Sequence, residues 1–185
     1  MTDTPSVRDR ILEAAEKRVR GVGFHAVSFR DLANDVGIKS SSVHYHFPQK
    51  EDLGEQLVKR YSERFQGRLE QIDVGEGGPL RALRAFISLY GEALVVGESI
   101  CLCAVLGAEA NSLPDRINAG VHDFFQSNIA WLKVIHDRVQ SPKTAMAPIE
   151  LISALEGAMI VSTAMKSREA FDAVANRILE NYSLQ

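Results

Sequence analysis

The chain contains no run of about 20 apolar residues, and its first ten, MTDTPSVRDR, hold no apolar core of the kind that opens a secretory signal. Neither a membrane span nor export is expected, and a cytoplasmic setting is. Cysteine is scarce, with only Cys101 and Cys103 in 185 residues. Two positions apart on a helix they point in different directions, so a disulfide between them is poor in geometry, and a reducing cytosol disfavours it further. The patterns HExxH, GxSxG and GxGxxG, the phosphate loop, and any Cys/His cluster at zinc spacing are all missing. His44 and His46 stand at i and i+2, whereas helical metal pairs use i+3 or i+4. Pairing Cys101 with His122 as nucleophile and base rests on nothing beyond presence in one chain. No enzyme, metal or cofactor is expected, and neither internal repeats nor low-complexity segments occur. A basic excess is lacking too. Residues 1–70 carry 12 Lys/Arg against 11 Asp/Glu, residues 71–185 carry 9 against 13, and the net charge is −3. That balance excludes bulk coating of nucleic acid, where basic patches dominate. It still allows a dimer that sets a few cations on phosphates while its acidic body faces away.

What is present is helical periodicity. A first helix is predicted over residues 6–20, with Ser6 as N-cap and Asp9 three residues on. Ser28 and Asp31 repeat that opening, and Phe29, Leu32, Ala33 and Val36 follow on one helical face. Gly37 stands where a helix stop needs positive φ. Ala33, Gly37 and Val43 then form the small, glycine and branched positions that let two short helices cross closely. A fourth helix is expected over 49–71. The stretch DVGEGGP at 73–79 reads as a linker. Further helices are expected over 80–96, 100–110, about 115–140, 149–166 and 168–182, with a weak point at Gly97-Glu98-Ser99 and a loop at 141–148. The expected fold class is all-α with about nine helices and no strand. An N-terminal three-helix head at residues 1–50 would precede a larger helical domain at 51–185. With 45% apolar residues the chain can bury a real core.

The segment SFRDLANDVGIKSSSVHYHFPQKEDL, residues 28–53, carries the chemistry. Its second short helix presents Ser40, Ser41, Ser42, His44, Tyr45 and His46, hydrogen-bonding types suited to a major groove. Tyr45 offers a hydroxyl to phosphate and a ring to a thymine methyl; the plainer alternative is a tyrosine covering the head's own core. His46 donates to phosphate or simply packs and caps. His44, Lys39, Ser41 and Ser42 are candidates for base edges or adjacent phosphates, while Ser40 also suits an N-cap. Ser28 lies at the start of the preceding helix, and Arg30 beside it suits a bidentate grip on guanine. Lys50 opens the fourth helix, where a cation opposes the dipole.

Taken together these residues resemble the TetR family of repressors. VRDRILEAAEKRVRGVGFHAVS is similar to its first helix, through Ile11, Leu12, Ala14, Ala15, Gly21, Gly23 and Phe24. FRDLANDVGIKSSSVHYHF resembles its second and third helices, and Lys50-Glu51-Asp52-Leu53 its entry into the fourth. The likeness spans residues 7 to about 57. Three departures stand out: Ser41 and Ser42 at the start of the recognition helix, Val19 at a position often aromatic, and Pro48 before Lys50. The resemblance implies that Lys50 lies on DNA phosphate and that the chain is a sequence-specific regulator, most commonly a repressor released from DNA by a small molecule. The different-class alternative is a helical ligand-binding or adaptor protein without DNA affinity. An acidic recognition helix would favour that alternative, but Lys39 to Lys50 contains no acid.

The same resemblance implies an effector pocket downstream of the linker and a subunit interface formed by the last two helices. Phe86, Tyr90, Leu94, Leu102, Leu106, Phe124, Phe125, Asn128, Trp131 and Met165 join aromatic area to a few polar handles and are the pocket candidates. A small apolar or aromatic effector is expected. The run CLCAVLGAE resembles a branch of the family that senses electrophiles through cysteine, which adds Cys101 and an electrophilic effector to the expectation. In ELISALEGAMIVSTAM, Leu151, Leu155, Ala158, Met159 and Ser162 are the interface candidates. A head this small reads one half-site, so a homodimer on a palindromic double-stranded DNA operator is expected.

Overall fold

The computed structural model describes residues 5–74, 78–96, 100–138 and 145–183. The centre of the expected linker, Gly97-Glu98-Ser99 and much of the expected loop at 141–148 lie outside the described residues. Nine α-helices and no strand occur among the described residues: α1 Val7–Val22, α2 Phe29–Val36, α3 Ser40–His46, α4 Lys50–Glu70, α5 Gly78–Val96, α6 Leu102–Ala108, α7 Asp115–His136, α8 Pro148–Met165 and α9 Glu169–Ser183. One 3₁₀ turn, Ala110–Ser112, precedes α7.

The punctuation read from the sequence forms as expected in the first two helices. The Ser6 hydroxyl accepts from the Asp9 amide at 3.1 Å and donates to its carboxylate at 2.6 Å, and Ser28 does the same with Asp31 at 3.2 and 2.6 Å. These bonds hold the carboxyls of Asp9 and Asp31 below the usual carboxylate value. Gly37 closes α2 in the left-handed region at φ 71°, and the Ile38 amide reaches back to the Ala33 carbonyl at 2.9 Å.

The chain divides into two compact units, one formed by residues up to Glu63 with Leu102–His122, the other by Arg64–Cys101 with residues from Asp123 on. The boundary expected after residue 50 therefore does not match the compact units. The first unit takes in the start of α4, all of α6 and the start of α7. The physical reason is close packing. A side chain at Gly54 would come within 2.3 Å of Ile117 and 2.9 Å of the Phe24 ring, and one at Gly120 within 2.9 Å of Val58. Around these contacts lie Ile11, Leu12, Ala15, Leu32, Val43, Phe47, Leu53 and Leu57, all buried.

In the second unit α5 packs against α8 and α9, which also pack against each other. Its core holds Leu83, Phe86, Tyr90, Phe124, Leu151, Leu155, Met159, Phe171 and Ile178. The turn from α8 to α9 is fixed by the buried Ser162 hydroxyl, which accepts from the Phe171 amide at 2.9 Å. Lys166 closes α8 in the left-handed region at φ 51°.

Candidate nucleic-acid interface and effector site

Helix α3 owes its orientation to Val43, which is fully buried, and to Phe47, buried just beyond its end. Anchoring those positions turns the rest of the helix outward. Tyr45 is 83% exposed, so it does not cover the head's own core. His44 and Ser41 are exposed beside it, while Ser42 and His46 are half-buried. The His44 ring meets the edge of Phe29 at 4.7 Å and the His46 ring that of Tyr45 at 5.2 Å, so both imidazoles are braced by aromatic neighbours. Lys39 occupies the N-cap position without a side-chain cap bond, and Ser40 is the first helical residue. Ser40 is thus not the cap, and its exposed hydroxyl stays on the surface beside Lys39. Arg30 is exposed on α2. Ser28 has its hydroxyl committed to Asp31, which makes it first a cap.

Lys50 is half-buried and tied inward as well as placed at the start of α4. Its ammonium donates to the His25 carbonyl at 3.0 Å and lies 4.8 Å from the centre of the Phe24 ring. Burial pulls its pKa below the ordinary 10.5, and the nearby Glu109 carboxylate opposes that shift. One of three ammonium protons is used in this bond, which leaves donors for phosphate.

Two residues that the sequence reading passed over secure this surface. Glu109 accepts the Phe24 amide at 2.9 Å, next to Gly23, whose φ of 83° and closeness to the Glu109 carboxylate both exclude a side chain. Arg116 grips three carboxylates of the first turns of α4: Glu51 at 2.9 Å, Asp52 at 3.2 Å and Glu55 at 2.8 Å. Asp52 also accepts the Gln49 amide at 3.0 Å. The acids at the start of α4 are therefore compensated within the same unit. Both contacts are remote in sequence, so no local spacing announces them.

In the second unit several pocket candidates do come together. Phe86 stacks on Trp131 at 5.4 Å with 17° between planes and meets Tyr90 at 5.3 Å. Phe65, which the sequence reading missed, has ring contacts with Phe86, Tyr90 and Phe124 at 5.3–6.2 Å. Phe124 in turn meets Phe125 at 5.4 Å. Phe124, Asn128 and Trp131 recur at i, i+4 and i+7 along α7. Asn128 is fully buried, accepts from Gln66 at 3.1 Å, and has no partner for its own N–H₂ among the described residues. Leu94 is half-buried beside a cleft of about 480 Å³ lined also by Ser162, Thr163, Lys166, Ser167 and Arg168. Leu102 and Leu106 instead belong to the core of the first unit. Met165 is 62% exposed at the end of α8 and joins no interior.

Cys101 is buried in the second unit, while His122 belongs to the first, so the imagined nucleophile and base fall in separate units. Beside Cys101 lies Glu156, a carboxyl that burial, and after it the Cys101 thiol, push well above the usual value of 4.5. Reactive thiols sit in exposed, electropositive settings, and a buried place next to an acid is the reverse. Sequence reading missed Glu156 although it carries its own signal, an acid amid an apolar run.

The interface candidates are also placed differently from expectation. Leu151, Leu155, Ala158, Met159 and Ser162 all face the interior of their own unit. The opposite side of α8 exposes Ile149, Ile160, Val161 and Met165 together with Ser153, Gly157 and Ala164. Helix α8 is apolar on all sides, so its composition alone cannot say which side is inside.

Comparison with known proteins agrees with this geometry. Residues 11–57 match the family model described as bacterial regulatory proteins, tetR family. A stretch of 96 residues is 32% identical to the HTH-type transcriptional repressor KstR2 of Mycolicibacterium smegmatis, covering 50% of this chain and 47% of that protein. The matched stretch thus spans about half the length of the curated relatives. Solved structures match almost throughout, two of them as follows. A TetR-family transcriptional regulator from Agrobacterium tumefaciens has a TM-score of 0.86 at 27% identity, covering 94% of this chain and 96% of that one. A TetR transcriptional regulator from Legionella pneumophila has a TM-score of 0.89 at 25% identity, covering 97% and 98%.

Proposed function

We propose that this chain, whose head is that of the TetR family of bacterial regulatory proteins and whose fold is the TetR fold, is a homodimeric repressor released from a palindromic operator by a small molecule. The observation that carries the reading is the set of outward residues on and beside α3. Tyr45, His44, Ser41 and Lys39 project from a segment without any acid, and Tyr45 is 83% exposed for no internal reason. An exposed large aromatic within a ring of hydrogen-bonding groups suits a groove that offers both methyls and acceptors. Lys50, Lys39 and Arg30 supply the phosphate contacts that set register, with Arg30 or His44 reaching a base edge.

Two-fold pairing is supported by the exposed apolar side of α8. Ile149, Ile160 and Met165 on one helix, beside small residues at Gly157 and Ala164, offer area and close approach to a second copy. This shifts the expected interface from the buried stripe of α8 to its exposed one. The effector reading is supported by the ring cluster around Trp131 and the buried Asn128 in the second unit. The buried, acidic surroundings of Cys101 favour a reversibly bound effector over an electrophile. A ligand that binds better to a dimer with mismatched heads lowers the DNA-competent population.

The test is to mix the purified protein with sheared genomic DNA of its host at moderate salt, recover the bound fragments and sequence them. A short palindrome shared by the enriched fragments is expected. Equal recovery of all sequences at every salt concentration would contradict the reading.

A further inference from the structure

Glu156 is the inner acid of α8. It lies between Leu155 and Gly157, beyond the first-turn acid Glu150, in a stretch otherwise built from apolar and small residues, and only 8% of it is exposed. Neither carboxyl oxygen has a hydrogen-bond partner among the described residues. Its polar neighbour, the Cys101 thiol, is a weak donor. An apolar residue of similar volume would pack there without desolvating anything, so the acid contributes nothing to the fold that a leucine or methionine would not exceed. Buried polar groups left without partners call for an explanation beyond packing, and a functional role is among the few available.

Resting on the effector reading above, we propose that Glu156 is the anchor for a basic nitrogen, so that the molecule bound by the helical body is an organic amine rather than a purely apolar compound. Charge-assisted bonds are the strongest a buried carboxyl can make, and an ammonium offers up to three donors to its two oxygens. The second unit also holds the ring cluster of Phe65, Phe86, Tyr90, Phe124 and Trp131, whose faces attract organic cations. Burial raises the Glu156 carboxyl well above its usual value and so favours its protonated form. Docking of an ammonium then converts the carboxylic acid to carboxylate, and the released proton passes to the buffer. No bond to carbon forms or breaks.

Calorimetric titration of the full-length protein with tryptamine, and with tryptophol as its neutral counterpart, tests this in phosphate and in Tris buffer. Tryptamine should bind at least ten-fold more tightly than tryptophol, and its apparent enthalpy should differ between the buffers in the sense of proton release. Glu156→Gln should remove both the preference and the proton release while the mass of the assembly in solution and the binding of genomic DNA fragments stay unchanged. Equal binding of the two compounds, no binding of the amine, or a preference that survives Glu156→Gln would overturn the proposal. So would a change in the mass of the assembly in solution on Glu156→Gln, which would assign the acid to the contact between copies. If the variant does not fold, the wild-type preference for tryptamine over tryptophol decides, with the buffer dependence of its enthalpy beside it. Tryptamine that binds with proton release but leaves DNA bound would keep the anchor and count against the release mechanism, so the two failures are distinguishable.

Discussion

Replacing Glu156 by glutamine should stabilise the protein, and by an amount that grows with pH. The carboxyl is buried beside Cys101 and its folded-state value is raised well above 4.5. Between 4.5 and that raised value the unfolded chain has lost the proton while the folded chain keeps it. Fewer protons are then bound in the unfolded state, so stability falls as pH rises through this window, by about 1.4 kcal/mol per pH unit. Glutamine does not titrate and escapes the loss. Below pH 4 both side chains are neutral in both states, and the two proteins should melt alike. For a chain of this length, 1 kcal/mol corresponds to roughly 2–4 °C, so the melting difference should widen by roughly 3–5 °C for each pH unit above 4.5. Differential scanning fluorimetry of both proteins at pH 4, 5, 6 and 7 reads this directly, because every other titrating group is shared and cancels. A difference that stays constant from pH 5 to 7, or a variant less stable than the parent at neutral pH, would refute the reasoning.

Three other consequences are open to direct measurement. Gly54→Val forces atoms into the contact with Ile117 and Phe24 and should destabilise the first unit by about 1–3 kcal/mol, seen as a lower denaturation midpoint at unchanged slope. Ile160→Asp on the exposed side of α8 should reduce the mass measured by light scattering from twice the chain mass of 20.4 kDa to that of a single chain. Arg116→Ala leaves Glu51, Asp52 and Glu55 uncompensated and should weaken DNA binding several-fold at low salt, with the deficit shrinking as salt screens those charges.

The caps at Ser6 and Ser28, the stop at Gly37 and the outward run from Lys39 to His46 were legible in the sequence because they depend on neighbours three or four residues away. The same local spacing could not reveal that Glu109 binds the Phe24 amide or that Arg116 clamps the start of α4, since those partners lie more than 60 residues apart. Hence the boundary drawn after residue 50 cut through a unit that α4, α6 and α7 complete. Helix α8 misled for a different reason. Its apolar residues run all the way round, and a periodicity argument selected the stripe that the protein buries in itself. Lys50 illustrates a third limit: its place at the start of α4 was legible in the sequence, and only the fold adds its bond to the His25 carbonyl. Glu156 was visible as a single acid in an apolar run, and the fold adds that both oxygens are buried beside the weakly donating Cys101 thiol, with no stronger partner among the described residues.

The central claim is that the outward face of α3 reads DNA sequence. Its most direct test is to measure, by fluorescence anisotropy at 100 and 200 mM salt, the affinity of the parent protein and of Tyr45→Ala for an enriched palindrome and for a scrambled duplex. The account predicts that the parent prefers the palindrome at least 1,000-fold, the low end for specific recognition. It also predicts that Tyr45→Ala loses about 1–3 kcal/mol of that preference, as for one base contact, with its melting temperature unchanged because Tyr45 is not part of the core. Equal affinity of the parent for both duplexes, or a Tyr45→Ala protein that keeps the full preference, would contradict it.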